Sequence, residues 1–95
     1  MGFFSFLSKK DTSKDISTYL DKGAIVIDVR RLEEWNEGHV EGSIHIVLTI
    51  IPLKIAEIKA FRKPIITVCR SGVRSGQATR LLSKEGIDVL NGGPW

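Results

Sequence analysis

Two short apolar runs without alternation stand out along the chain, and stretches of helical period separate them. Residues 24–29 read Ala-Ile-Val-Ile-Asp-Val, and residues 64–68 read Pro-Ile-Ile-Thr-Val. Unbroken runs of strand length are the mark of strands covered on both faces. Ahead of the first run, Ile16, Tyr19 and Leu20 fall on one face of a helix that Thr12 or Ser13 can cap. Gly23 suits the position just after its end. Residues 31–37 predict a short helix with Leu32 and Trp35 turned inward and Gly38 as its stop. Residues 39–42 predict a turn and 43–47 a short strand. Pro52 is expected to open a further helix, with Ile51, Ile55 and Ile58 on its inner face. Ala78, Leu81 and Leu82 mark the inner face of a helix ending at Gly86, and 87–90 a last strand. Residues 91–95, Asn-Gly-Gly-Pro-Trp, read as turn chemistry.

Strands therefore alternate with helices throughout. This predicts an α/β layer fold with a mostly parallel sheet. Ligands of such sheets bind outside the carboxyl ends of the strands. Asp28 and Arg30 follow the first apolar run, and Cys69 and Arg74 follow the second, so the pattern puts acid, base and thiol on one rim.

Composition narrows the class without naming a function. At 95 residues the chain is expected to form one domain over 1–95, with a modest core. Its 42% hydrophobic and 26% charged residues are those of a globular protein. The net charge of +3 is mild, and no basic stripe interleaved with aromatics points to nucleic acid. Arg70, Arg74 and Arg80 cluster near the cysteine and suggest a pocket for a small anion. One cysteine excludes an internal disulfide, and no zinc-ligand spacing is present. A lone free thiol fits a reducing compartment, and a cytoplasmic location is expected. The Phe-rich residues 1–10 are too short to span a membrane, and are expected to tuck onto the domain rather than to contact lipid.

The chemistry concentrates in Cys69-Arg70-Ser71-Gly72-Val73-Arg74-Ser75. A cysteine in this setting is often no more than a small buried apolar residue. Here it stands at the end of a strand, before a helix predicted to start near Ser75. Gly72 lets backbone N–H groups converge, and Arg70 follows at once. Such surroundings favour a thiolate nucleophile. His39, in a turn after Gly38, reads as a residue hydrogen-bonded to backbone rather than as a base, and His45 as packing or surface.

These patches, together with Asp28-Val29-Arg30, Glu34-Trp35, Gly38-His39-Val40, Gly42-Ser43-Ile44, Gly92-Gly93 and Trp95, occur in an order that resembles a single-domain rhodanese. The resemblance implies a three-layer fold with a four- or five-stranded sheet, four if the family's extra edge strand is missing. It implies a sulfurtransferase in which Cys69 attacks a small anionic sulfur donor such as thiosulfate and becomes a persulfide. Cyanide, a thiol or a protein acceptor then takes the sulfur. The N–H groups of Arg70, Ser71, Gly72, Val73, Arg74 and Ser75 would cradle the persulfide, and the Arg70 and Arg74 side chains would hold the donor's sulfonate. Asp28, Arg30, Glu34 and His39 would support the site, with an Arg–carboxylate contact to Glu34 under the loop. No metal or organic cofactor is implied. A chain closing at Trp95 suggests an open pocket and an accessible Cys69.

Two other functions compete. A cysteine phosphatase places five residues between its cysteine and its arginine; that slot holds Ser75, and Arg74 comes one residue early. The other is a rhodanese-like module that binds a partner, or that carries sulfur between proteins without fast turnover; an inactive module would often lack the cysteine, and Cys69 is present.

Overall fold

A computed structural model describes residues 16–94. Within them a helix, α1, covers 16–21. It is followed by β1 (Ile25–Asp28), α2 (Leu32–Asn36), β2 (Ile44–His45), a 3-10 helix (Leu48–Lys54), α3 (Ile55–Ala60), β3 (Ile65–Cys69), α4 (Val73–Lys84) and β4 (Val89–Pro94). The four strands form one parallel sheet in the order β2-β1-β3-β4, flanked by helices. The two apolar runs thus become the two central strands, and all five residues of β3 are buried. Thr12 and Ser13, the expected caps of α1, lie outside the described residues, as do residues 1–10 and Trp95.

Alternation along β3 sends Ile65, Thr67 and Cys69 to one face. There Ile27, Val29, Ile51, Ile58, Ile65, Cys69, Ala78 and Leu82 form one buried cluster. Thr67 donates to, or shares a proton with, the Ser75 carbonyl and Thr79 hydroxyl of α4, at 3.0 and 2.8 Å. That polar tie fixes α4 lengthwise on β3, which bulk apolar packing alone does not do.

Several expected faces differ. Leu20 is 52% and Leu32 59% exposed. In α2 the buried residue is Glu34, because an arginine from α4 meets it. Leu81 is also partly exposed, and Ser75, Ala78 and Leu82 are the buried positions of α4. Pro52 does not open its helix. It lies inside the 3-10 turn that runs on into α3, where Ile51 and Ile58 are buried.

The last strand continues where a turn was expected. β4 pairs with β3 through Pro94, with a shift in register at Thr67/Val68: Asn91 pairs with Thr67, and Gly93, not Gly92, with Val68. The extra residue is Gly92. A Cβ there would lie 2.7 Å from Ile66 Cγ2 and 3.0 Å from the Thr67 carbonyl oxygen, so only glycine fits the bulge.

Candidate active site

The site is built where β3 ends and α4 begins. Gly72 adopts φ +95°, a left-handed conformation that bends the loop back over the sulfur. Its N–H then donates to Cys69 Sγ at 2.9 Å, and the Ser75 N–H, from the first turn of α4, donates at 3.3 Å. The thiol in turn faces Ser75 Oγ at 3.4 Å. Burial works to raise the Cys69 pKa. Hydrogen bonding from the Ser75 hydroxyl, and from the N–H groups of Ser75, Gly72 and Ser71, outweighs it and leaves the pKa below the ordinary thiol value.

The sulfur is enclosed rather than open. Cys69 has no exposed surface, against the accessible thiol expected from the sequence. The enclosure follows from the cradle itself: N–H groups close enough to bond the sulfur also cover it, and its inner side rests on the core cluster.

The expected Arg–carboxylate contact to Glu34 is present, and Arg74 makes it. Arg30 and Asp28 form their own buried pair at the end of β1. Arg30 Nε lies 2.9 Å from Asp28 Oδ1, and its terminal nitrogen lies 2.7 Å from Oδ2 and 2.7 Å from the Gly38 carbonyl oxygen. The Arg30 N–H also donates to Asp28, at 3.0 Å. Glu34 instead meets Arg74 through two parallel hydrogen bonds of 2.8 and 3.0 Å, and accepts the Arg31 N–H at 3.0 Å. Hydrogen bonding from Arg74 holds the Glu34 carboxyl far below the usual carboxylate range, against burial, which acts the other way. The same bonds raise the Arg74 pKa. Arg74, expected to face an incoming sulfonate, is therefore engaged with α2, where it ties that helix to the loop. Arg70 is the exposed arginine of the loop, with longer ion-pair contacts of 3.5 Å to Glu34 and 3.9 Å to Glu37. Ser71 Oγ accepts the Val73 N–H at 3.4 Å, and Val73 is 66% exposed at the start of α4. Arg80 belongs to a different stretch of α4, lining a shallow cleft with Leu48, Gln77, Leu81 and Lys84.

Both histidines turn their rings to backbone. His39 Nδ1 donates to the Trp35 carbonyl at 2.9 Å, and His45 Nε2 donates to the Arg30 carbonyl at 2.7 Å. Trp35 stacks against both rings, with centroid separations of 3.4 and 4.8 Å. This stack braces the rim beside Arg30.

One residue of the site escaped the sequence reading. Asn91 reaches the loop from β4, accepting from Ser75 Oγ at 2.6 Å and from the Gly93 N–H at 2.9 Å, and donating to the Gly72 carbonyl at 3.2 Å. It was hidden in an Asn-Gly-Gly stretch that has the composition of a turn. Its pairing with Thr67, which faces α4, sets its side chain on the side of the loop.

Among the described residues, no helix is long and apolar enough to cross a membrane. The sequence pattern of the rhodanese-like domain matches residues 12–93. Two Bacillus subtilis proteins are similar over 75% of this chain. YrkF, provisionally named a sulfur carrier protein, is 33% identical over 72 residues, and this chain spans 38% of its length. YtwF, provisionally named a sulfurtransferase, is 34% identical over 71 residues, and 68% of it is spanned. The crystallographic or solution neighbours include the human single-domain sulfurtransferase TSTD1, with a TM-score of 0.69 and 26% identity, covering 86% of this chain and 87% of that one.

Proposed function

The chain belongs to the rhodanese-like sulfurtransferase family, and from that premise we propose that it moves sulfane sulfur from a thiosulfate-like donor to a thiophilic acceptor through a persulfide on Cys69. The observation that carries this reading is the convergence of the Gly72 and Ser75 N–H groups on Cys69 Sγ at the start of α4. Donors fixed around one sulfur favour its anionic form with little reorganisation.

In the first half-reaction the Cys69 thiolate attacks the outer sulfur of the donor. A sulfur–sulfur bond forms to Cys69, and the bond to the central sulfur breaks. Sulfite leaves with the electron pair, and the persulfide retains one negative charge. The same N–H groups and the positive end of α4 stabilise that charge. Arg70, exposed beside the loop, draws in the dianionic donor. In the second half-reaction an acceptor thiolate or cyanide attacks the outer persulfide sulfur, and Cys69 leaves as the thiolate it began as.

Intact-mass measurement after incubation with thiosulfate tests the reading. The expected result is a gain of one sulfur atom, absent from Cys69→Ser and lost on adding cyanide. A protein that takes up no sulfur but hydrolyses an aryl phosphate overturns it.

The enclosed Cys69 and the likeness to YrkF support a second reading, in which the persulfide forms stoichiometrically but is handed to a protein acceptor. Loading by thiosulfate with negligible cyanide turnover distinguishes it.

A further inference from the structure

We propose that Asn91 is a positioning residue for Cys69: its amide oxygen holds the Ser75 hydroxyl proton away from the sulfur while Cys69 is a thiol, and yields that proton when the sulfur becomes anionic. For the role of the anionic sulfur this rests on the sulfurtransferase reading; for the ionisation itself it stands on the geometry alone.

The orientation of the Asn91 amide follows from three partners. Its oxygen accepts from the Gly93 N–H at 2.9 Å and from the Ser75 hydroxyl at 2.6 Å, and its nitrogen donates to the Gly72 carbonyl at 3.2 Å. The reversed amide would set NH2 against an N–H and oxygen against a carbonyl, so the acceptor stays turned to Ser75. The Ser75 hydroxyl has one proton and two claimants. Asn91 Oδ1 is close, and Cys69 Sγ is farther, at 3.4 Å. In the thiol form the arrangement is consistent: the thiol donates to Ser75 Oγ, and Ser75 donates to Asn91.

Loss of the thiol proton to solvent breaks this consistency. A lone pair of Ser75 Oγ would then face the anionic sulfur. The hydroxyl must rotate to donate to it, and so must leave Asn91. The amide oxygen keeps its bond from Gly93, so it is not orphaned by the rotation. Asn91 therefore competes with the sulfur for one proton, and the outcome decides how readily Cys69 ionises.

Of the charged groups on the surrounding elements, Arg74 from α4 interacts with Cys69 through its charge, and it is ringed in turn by Glu34 from α2, Arg70 from the loop, and the Asp28–Arg30 pair at the end of β1. A substitution at Asn91 leaves all of them in place. The Gly72 carbonyl also keeps a bond from the Gly76 N–H at 3.0 Å when the Asn91 amide is removed.

The test is the pH dependence of Cys69 alkylation by iodoacetamide in the full chain. Asn91→Leu frees the hydroxyl and is expected to lower the midpoint by about half a unit to one unit, a roughly three- to tenfold gain in thiolate at a pH below it. In the Ser75→Ala protein the same substitution is expected to have no effect on the midpoint, because the competing proton is gone. A shift of equal size with and without the Ser75 hydroxyl, no shift, or a rise in the midpoint overturns the proposal. Asn91→Asp preserves the side-chain shape and carries the test if leucine unfolds the loop. It is expected to raise the midpoint, and more so with Ser75 present; an equal rise in both backgrounds is through-space charge alone and overturns the proposal. Alkylation needs no sulfur donor, so failure here and failure of sulfur loading are read separately.

Discussion

Glu34→Gln isolates what the carboxylate contributes to joining α2 and the cysteine loop. Glu34 makes two hydrogen bonds of 2.8 and 3.0 Å to Arg74, with side chains 11% and 28% exposed. A surface pair is worth about 0–1 kcal/mol, and breaking a buried one costs roughly 3–5 kcal/mol. Glu34 is close to the buried limit, but Arg74 retains water on one side and can turn towards it. The expected loss is therefore about 2 kcal/mol at pH 7, or about 10 °C in Tm for a domain of this size. The pH dependence gives a sharper reading than the size. The folded pKa of Glu34 is depressed below its unfolded value of about 4.3. A depressed carboxyl contributes its full stability above the unfolded pKa and loses it as pH falls towards the folded one. Below pH 4.3 the loss runs at about 1.4 kcal/mol per pH unit, so about 1.8 kcal/mol is gone by pH 3. Urea unfolding followed by tryptophan fluorescence, Trp35 being next to Glu34, measures both proteins. The gap between them is expected to hold from pH 7 to about pH 5 and to narrow by roughly 1–2 kcal/mol between there and pH 3. A gap of the same width at both values would show that the carboxylate's charge is not what joins the elements.

Other substitutions probe separate parts of the same construction. Arg30→Lys keeps the charge but loses the fork that holds Asp28 and the Gly38 carbonyl together, and a loss of about 2 kcal/mol in urea unfolding is expected; an unchanged midpoint counts against a structural role for the pair. Gly92→Ala forces a methyl group against Ile66 and the Thr67 carbonyl, with an expected cost of about 1–3 kcal/mol in thermal unfolding, whereas a neutral result would mean that the bulge relaxes freely. In the unsubstituted protein the midpoint of the Cys69 alkylation profile is expected below the ordinary thiol value of about 8.5, even if enclosure slows the reaction at every pH; a midpoint at or above that value contradicts the cradle.

The parts of the molecule visible in the sequence are those governed by local period. The two unbroken apolar runs have strand length and the mark of strands covered on both faces, and they became the central pair. The Cys69 loop was visible because a thiol, a glycine and a helix start fall within seven residues. What stayed hidden depended on partners distant along the chain. Leu32 was expected inside α2 by its apolar character, but Glu34 took the inner place because Arg74, forty positions on, supplies a counter-charge. Asn91 looked like a turn residue because Asn-Gly-Gly has no strand propensity. Its strand, and its reach to Ser75, come from pairing with Thr67 of β3, a distant partner that no local pattern announces. Apolar period reports which side of an element is covered; it does not report which charge crosses to meet it.

The engagement of Arg74 changes what the short loop implies about anions. From the sequence, two arginines follow the cysteine and look equivalent. In the structure Glu34 takes up the Arg74 guanidinium in a planar, two-bond contact, and Arg70 remains exposed with longer contacts to Glu34 and Glu37. For Arg74 to turn to a donor it would have to abandon a nearly buried carboxylate, which costs more than one exposed contact to a sulfonate returns. Under the proposed reaction, the donor's recognition then falls to Arg70 and its catalysis to the N–H groups on the sulfur. The two roles separate by residue: Arg70→Gln should raise the KM for thiosulfate with little change in kcat, because Arg70 meets the donor alike before and during sulfur transfer. Steady-state rates at several ionic strengths check this, since a contact made by an exposed charge weakens as salt is added. A fall in kcat at unchanged KM would instead assign Arg70 to the reacting sulfur and undo the division.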